Sequence, residues 1–181
     1  MKKILLLVLV AFISTTMSAQ LVTSTTVTKT KKQSNSGMFM EVGLGTLGAD
    51  YENDGIALDL GFGYRKNFSE YLAWDILKIK AVAEMSNLGE TLTPKIMTGI
   101  RGTTPVLFGD MTAFGSFSAG YGHWIDFEEG GFVYEAQIGL NITSKLYAAF
   151  VYENQGISWE EESYNIDADV SFTGLRLGLR F

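Results

Sequence analysis

Thr173 to Phe181 place Leu175, Leu177, Leu179 and Phe181 on one side of an extended chain, and Gly174, Arg176, Gly178 and Arg180 on the other. A repeat of two is the repeat of a β-strand, whose successive side chains point to opposite faces; a helix would mix the two sets. The rhythm recurs upstream. Ile56, Leu58, Leu60, Phe62 and Tyr64 alternate with Ala57, Asp59, Gly61 and Gly63, and Arg65 continues the second face. Likewise Phe132, Tyr134, Ala136, Ile138, Leu140 and Ile142 oppose Val133, Glu135, Gln137, Gly139 and Asn141. From Met38 onward no stretch of a dozen residues carries a helical stripe, so the chain is predicted to be all-β.

The same template predicts eight strands, at about 38–47, 55–66, 70–82, 92–102, 111–121, 131–142, 145–154 and 169–181. Each has about the length of a tilted strand crossing a bilayer, ~9 to 11 residues. Two leave their register open: Lys78 and Lys80 share parity with Trp74 and Ile76, and TAFGSFSAG alternates only loosely. The second, fourth and sixth connections are compact (KNFSE, TTPVLFGD, TSK). The odd ones are long and acidic (GADYENDG, AEMSNLGET, GHWIDFEEGG, QGISWEEESYNIDA). Tight turns at one end and long polar loops at the other describe an up-and-down transmembrane barrel.

The first residues agree with export. Lys2 and Lys3 precede an apolar run from Ile4 to Ile13, too short for a membrane helix, and small residues follow toward a cut after Ala19. Residues 1–19 are therefore predicted to be a signal peptide. Residues 20–36, rich in Ser, Thr and Lys, are predicted to be a flexible periplasmic leader, with residues 37–181 forming the barrel. Loss of Lys2 and Lys3 from 14 basic residues leaves 12 against 20 acidic ones, a charge of the wrong sign for nucleic acid. The chain has no cysteine and one histidine, which excludes disulfides, a thiol nucleophile and a structural zinc site.

Alternation alone does not say which face meets lipid, because a secreted lipocalin-like barrel alternates with its apolar face inward. Three features favour lipid outside. The small or charged face is rich in glycine, which makes room inside a narrow barrel: Gly43, Gly45, Gly61, Gly63, Gly99, Gly139, Gly174 and Gly178. That face also carries five acids and five bases, Glu41, Asp59, Asp75, Glu135 and Glu153 with Arg65, Lys95, Arg101, Arg176 and Arg180, as an enclosed ion network requires. Finally, aromatics gather near strand ends, at Tyr64, Phe68, Tyr71, Tyr121, Trp124, Phe132, Tyr134 and Tyr152, as in interfacial girdles.

With its export signal, eight strands, short even turns and terminal LRLGLRF, the chain resembles the small outer-membrane β-barrel family of Gram-negative bacteria, the class of OmpA-like and porin-like barrels. The resemblance implies a multi-pass protein of the outer membrane, in contact with its lipid and lipopolysaccharide. It also implies that Leu175, Leu177, Leu179 and Phe181 form the C-terminal signal read by the barrel assembly machinery.

No catalytic, metal or cofactor site is expected. Asp50 to Gly55 match the first half of a calcium loop, but Gly61 stands where the closing glutamate belongs. Glu160, Glu161, Glu162, Asp167 and Asp169 read as a solvated loop. His123, beside Trp124 and Asp126, would be the base of a lipid A modifying enzyme, but no serine stands at matching spacing. Lys78 and Lys80 are read as snorkelling toward lipopolysaccharide phosphates. Since side chains fill an eight-stranded barrel, an open diffusion pore is not expected. The expectation is a non-enzymatic barrel presenting acidic loops, in a structural or surface-interaction role; the alternatives are a soluble carrier of an apolar ligand and a lipid A modifying enzyme.

Overall fold

A computed structural model describes residues 36–49, 52–86, 92–125, 129–161 and 164–181; the predicted signal peptide and nearly all of the leader lie outside them. Eight strands follow in order: β1 (Gly37–Ala49), β2 (Glu52–Asn67), β3 (Leu72–Glu84), β4 (Thr93–Phe108), β5 (Met111–Trp124), β6 (Glu129–Asn141), β7 (Leu146–Glu161) and β8 (Tyr164–Arg180). Each pairs antiparallel with its neighbours in sequence, and β8 closes on β1 with Val42 opposite Leu177 and Leu44 opposite Leu175. Closure removes both sheet edges, so every strand has two hydrogen-bonded neighbours.

The strands outrun their predicted ends. The β1–β2 ladder continues to Ala49 opposite Glu52, β5–β6 to Trp124 opposite Glu129, and β7–β8 to Glu161 opposite Tyr164. Much of three predicted loops is therefore hairpin. Apolar alternation stops where a strand leaves its apolar surroundings, but backbone pairing does not need it. Similarly, most of the predicted turn TTPVLFGD belongs to β4, whose register slips between Thr103 and Phe108 around Pro105, which has no N–H to donate. The reversal falls on Gly109, whose φ of 56° is left-handed and suits glycine.

The open register of β3 is settled by a bulge. Arg65 faces Asp75 while Tyr64 faces Leu77, so β3 holds one extra residue, and Ile76 and Leu77 both point outward. Thr98 holds this kink: its hydroxyl accepts from the Trp74 indole N–H at 2.8 Å and donates to the Asp75 carbonyl at 2.9 Å. Beyond the bulge parity inverts, which turns Lys78 and Lys80 into the barrel. In β5 the loose alternation has a simpler origin, since Phe114 points in and Phe117, three residues on, points out.

The outside is apolar. Ile56, Ile96, Ile100, Phe132, Ile138 and Leu175 are each more than 60% exposed, whereas Glu41, Asp59, Glu135, Glu153 and Arg176 are at most 1% exposed. Among the described residues no helix is long and apolar enough to cross a membrane, which says nothing of a β-barrel.

Candidate functional site

The interior is stacked in three layers along the barrel axis. At mid-height eight charges from seven strands form one connected network. Lys78 bridges Glu41 (2.7 Å) and Glu135 (2.6 Å). Lys80 contacts Asp59 (3.2 Å), Glu135 (2.8 Å) and Glu153, and Lys95 contacts Glu153. Arg176 donates to Glu41 (3.1 Å), to Asp59 through Nε (2.8 Å) and to Glu135 (2.8 Å). Four acids meet four bases, so the layer is neutral. Each carboxylate contacts a cation from a different strand, and Glu135 of β6 receives three. Such pairs persist without water only when the geometry satisfies both partners. Further donors complete this one: the Tyr147 hydroxyl donates to Glu41 at 2.5 Å, and the Gln137 amide donates to Glu135 at 2.5 Å.

At the short-turn end the chemistry changes. Arg65 grips Asp75 in a two-pronged ion pair, Nε to Oδ1 at 2.5 Å and Nη2 to Oδ2 at 2.9 Å. Arg101 and Arg180 contact no carboxylate among the described residues; both donate to the side-chain oxygen of Asn141, Arg101 at 3.1 Å. All three guanidiniums surround the Tyr147 ring, with Cζ atoms 5.8, 4.5 and 5.1 Å from its centroid for Arg65, Arg101 and Arg180. Arg101 also lies 3.2 Å over the Phe114 ring, and Arg65 lies 4.7 Å from that of Phe39. Cation–π contacts of this kind offset part of the cost of enclosing a cation. Glycine makes the aromatic floor possible: a Cβ on Gly178 would overlap the Tyr147 ring, and one on Gly63 would strike Phe39. The long-loop end is mainly apolar inside, with Leu47, Ala57, Val82, Trp124, Val133, Val170 and Phe172 all buried.

All ten sequence-predicted network residues point inward, but the structure divides them. Glu41, Asp59, Lys95, Glu135, Glu153 and Arg176 meet at mid-height; Arg65 and Asp75 pair apart; Arg101 and Arg180 join neither set by an ion pair. Lys78 and Lys80, read from sequence as lipid-facing, complete the neutral layer instead. The signal that could have found them is charge among apolar neighbours: continuing the parity of Asp75 would have set two lysines on the apolar outer wall, and a bulge avoids that. Leu175, Leu177 and Phe181 are exposed on the outer wall and Leu179 is half-buried there.

Of the expected girdle, Tyr64, Phe68, Tyr71, Tyr121, Phe132 and Tyr152 are exposed, but Trp124 is buried inside the barrel, at 7% exposure. His123 lies within β5 rather than in a loop, opposite Gly130, with its side chain exposed on the outer wall. The side chains of Asp50, Glu52 and Asp54, and of Glu160, Glu161, Glu162 and Asp167, lie outside the described residues. Among the described residues no group of three or more His, Cys, Asp or Glu is placed to hold a metal ion.

The fold is that of small outer-membrane barrels. Neisserial surface protein A matches with a TM-score of 0.53 at 8% identity, over 82% of this chain and 98% of that one. Weaker likenesses are a de novo designed transmembrane barrel (TM-score 0.40, 14% identity, 84% and 100% covered) and Ail, the attachment invasion locus protein of Yersinia pestis, in complex with the heparin analogue sucrose octasulfate (0.39, 12%, 81% and 97%). No family model matches the sequence, and no curated protein sequence does.

Proposed function

We propose that this chain is a non-enzymatic integral protein of the bacterial outer membrane that anchors a set of acidic loops at the cell surface and is not an open diffusion pore. One observation carries the reading: the barrel is inverted relative to a soluble protein, with isoleucines, leucines and phenylalanines outside and a neutral layer of eight ions enclosed. An apolar exterior of this extent, all round a closed barrel, suits hydrocarbon, and a charged interior is a poor container for an apolar cargo. Both points weigh against the soluble carrier. The crowded cross-section supports a plugged barrel, since eight strands leave room for little beyond their own side chains.

With the tight turns in the periplasm, the acidic odd connections of the sequence face the outside in this reading. This acidity suits contact with cationic surfaces or with divalent ions at lipopolysaccharide. Lipid and lipopolysaccharide are the membrane partners in this reading, and the barrel assembly machinery reads the strand ending at Phe181. His123, exposed on the outer wall, takes no catalytic role in this reading.

The test is fractionation followed by a flux assay. The chain is expected in the outer-membrane fraction after a carbonate wash, and unboiled protein should run faster on a gel than boiled protein. Recovery in the soluble periplasm would overturn the membrane reading. Liposomes carrying the purified barrel should release a small sugar no faster than empty ones; rapid release would overturn the plugged interior. Changed lipid A on overexpression, abolished by His123→Ala, would overturn the non-enzymatic role.

A further inference from the structure

The mid-height layer is neutral, whereas the short-turn mouth holds three guanidiniums and one carboxylate. Among the described residues no acid other than Asp75 makes an ion pair with Arg65, Arg101 or Arg180. Both Asp75 oxygens are taken by Arg65. The Asn141 oxygen is shared by Arg101 and Arg180, and its amide is committed to Thr112 at 2.8 Å. Four guanidinium nitrogens are left buried with no acceptor: Nη1 of Arg65, Nε and Nη1 of Arg101, and Nε of Arg180. Arg65 and Arg101 are nearly inaccessible, at 3% and 1% exposure, so these groups lack bulk water as well as a partner.

A buried charge without a counter-charge is expensive. Water would satisfy the N–H groups yet leave two positive charges uncompensated. A compact oxyanion answers both needs, because guanidinium forks match the oxygens of a phosphate in geometry and in charge. Arg180 is half-buried at the end of β8, so it gives the entry side, with Arg101 and Arg65 behind it.

We propose that the short-turn mouth is a binding site for a phosphate-type oxyanion, held by Arg180 and Arg101 with the free edge of Arg65 contributing from the third side. The ligand chemistry is a phosphate group, either free in the periplasm or carried on a phospholipid headgroup of the inner leaflet. The site is separate from the acidic loops, at the opposite end of the barrel.

The experiment uses the barrel refolded into a phosphate-free maltoside detergent, with its unfolding followed by the gel shift between folded and heated forms. Titration with inorganic phosphate is expected to raise the midpoint saturably, by roughly 5 °C at high occupancy, relative to chloride at equal ionic strength. Arg180→Gln is expected to lose that rise, and Lys145→Gln, in an exposed turn, to keep it. Should Arg180→Gln fail to fold, Arg180→Lys preserves the charge without the fork and is expected to lose most of the rise. A parallel titration with dihexanoyl phosphatidylglycerol separates the sources. A rise with that lipid alone, still dependent on Arg180, supports a headgroup; a rise with phosphate supports the free anion. No rise with either, or equal rises in wild type and both Arg180 variants, overturns the proposal.

Discussion

The mid-height layer and the short-turn mouth both bury charged side chains, Arg65 and Arg101 as deeply as the ions at mid-height and Arg180 less so, yet they are built differently. At mid-height every cation faces carboxylates on other strands, and the layer sums to zero. At the mouth, guanidiniums rest on the rings of Phe39, Phe114 and Tyr147, and only Arg65 has a carboxylate partner. Burial by itself therefore does not identify a structural ion. The distinction lies in whether the counter-charge comes from the chain, and Tyr147 marks the boundary: its hydroxyl belongs to the neutral layer while its ring belongs to the mouth.

The comparison breaks most sharply at Arg176, the cation with the most partners among the arginines. Arg176→Leu leaves Glu41, Asp59 and Glu135 short of a counter-charge and is expected to cost about 3–5 kcal/mol. The gel-shift midpoint should then fall by roughly 10 °C. An unchanged midpoint would mean that the layer contributes nothing to holding the strands together. The isolated pair behaves differently. Asp75→Leu alone strands Arg65 in a region already rich in cations, whereas Arg65→Met with Asp75→Leu removes both charges together. The double variant is expected to be the more stable of the two by about 1–3 kcal/mol, read from the same midpoints. Equal destabilisation would show that the pair is held by packing rather than by charge.

A steric change comes next in size. Gly178→Ala drives a methyl into the Tyr147 ring and is expected to cost about 1–3 kcal/mol. Gly102→Ala, where the nearest atom to a new Cβ is a carbonyl oxygen 4.0 Å away, is the matched control and should change the midpoint little. If both variants unfold alike, the ring is not confined at that position.

Much of this was legible because period two is a strong signal wherever one face is wholly apolar. In β8 and β2 the pattern puts Leu175, Leu177, Leu58 and Leu60 on one face and Arg176 and Asp59 on the other, and the glycines and balanced charges of the second face mark it as the inside. It fails where the backbone inserts a residue. Nothing in WDILKIK distinguishes a regular strand from a bulged one until the cost of two lysines in lipid is weighed, and the neutral layer is unreadable without them. The segregation of ions into two layers was also hidden. Composition gives five acids and five bases on one face, a balance that looks complete. Only the register shows that Lys78 and Lys80 take up the carboxylates that Arg101 and Arg180 would otherwise have needed. Trp124 illustrates a third limit, since an aromatic near a strand end fits a girdle equally well whether it points out or in.

The smallest expected effect is the one that separates the two layers most cleanly. Arg101 is as buried as Arg176, at 1% exposure, and would be ranked with it on depth alone. Its removal, however, strands no carboxylate; it frees Asn141 to serve Arg180 and relieves repulsion among the three guanidiniums. Against that relief stands the lost contact with the Phe114 and Tyr147 rings, of order 1–2 kcal/mol when desolvated. Arg101→Met keeps an unbranched side chain over the same rings, so in phosphate-free detergent it is expected to shift the midpoint by no more than about 3 °C. In saturating phosphate the same substitution should cost more, because wild type gains a ligand that the variant holds poorly. A loss as large as that of Arg176→Leu without phosphate would place Arg101 in a counter-charged network after all, and the contrast between the layers would fail.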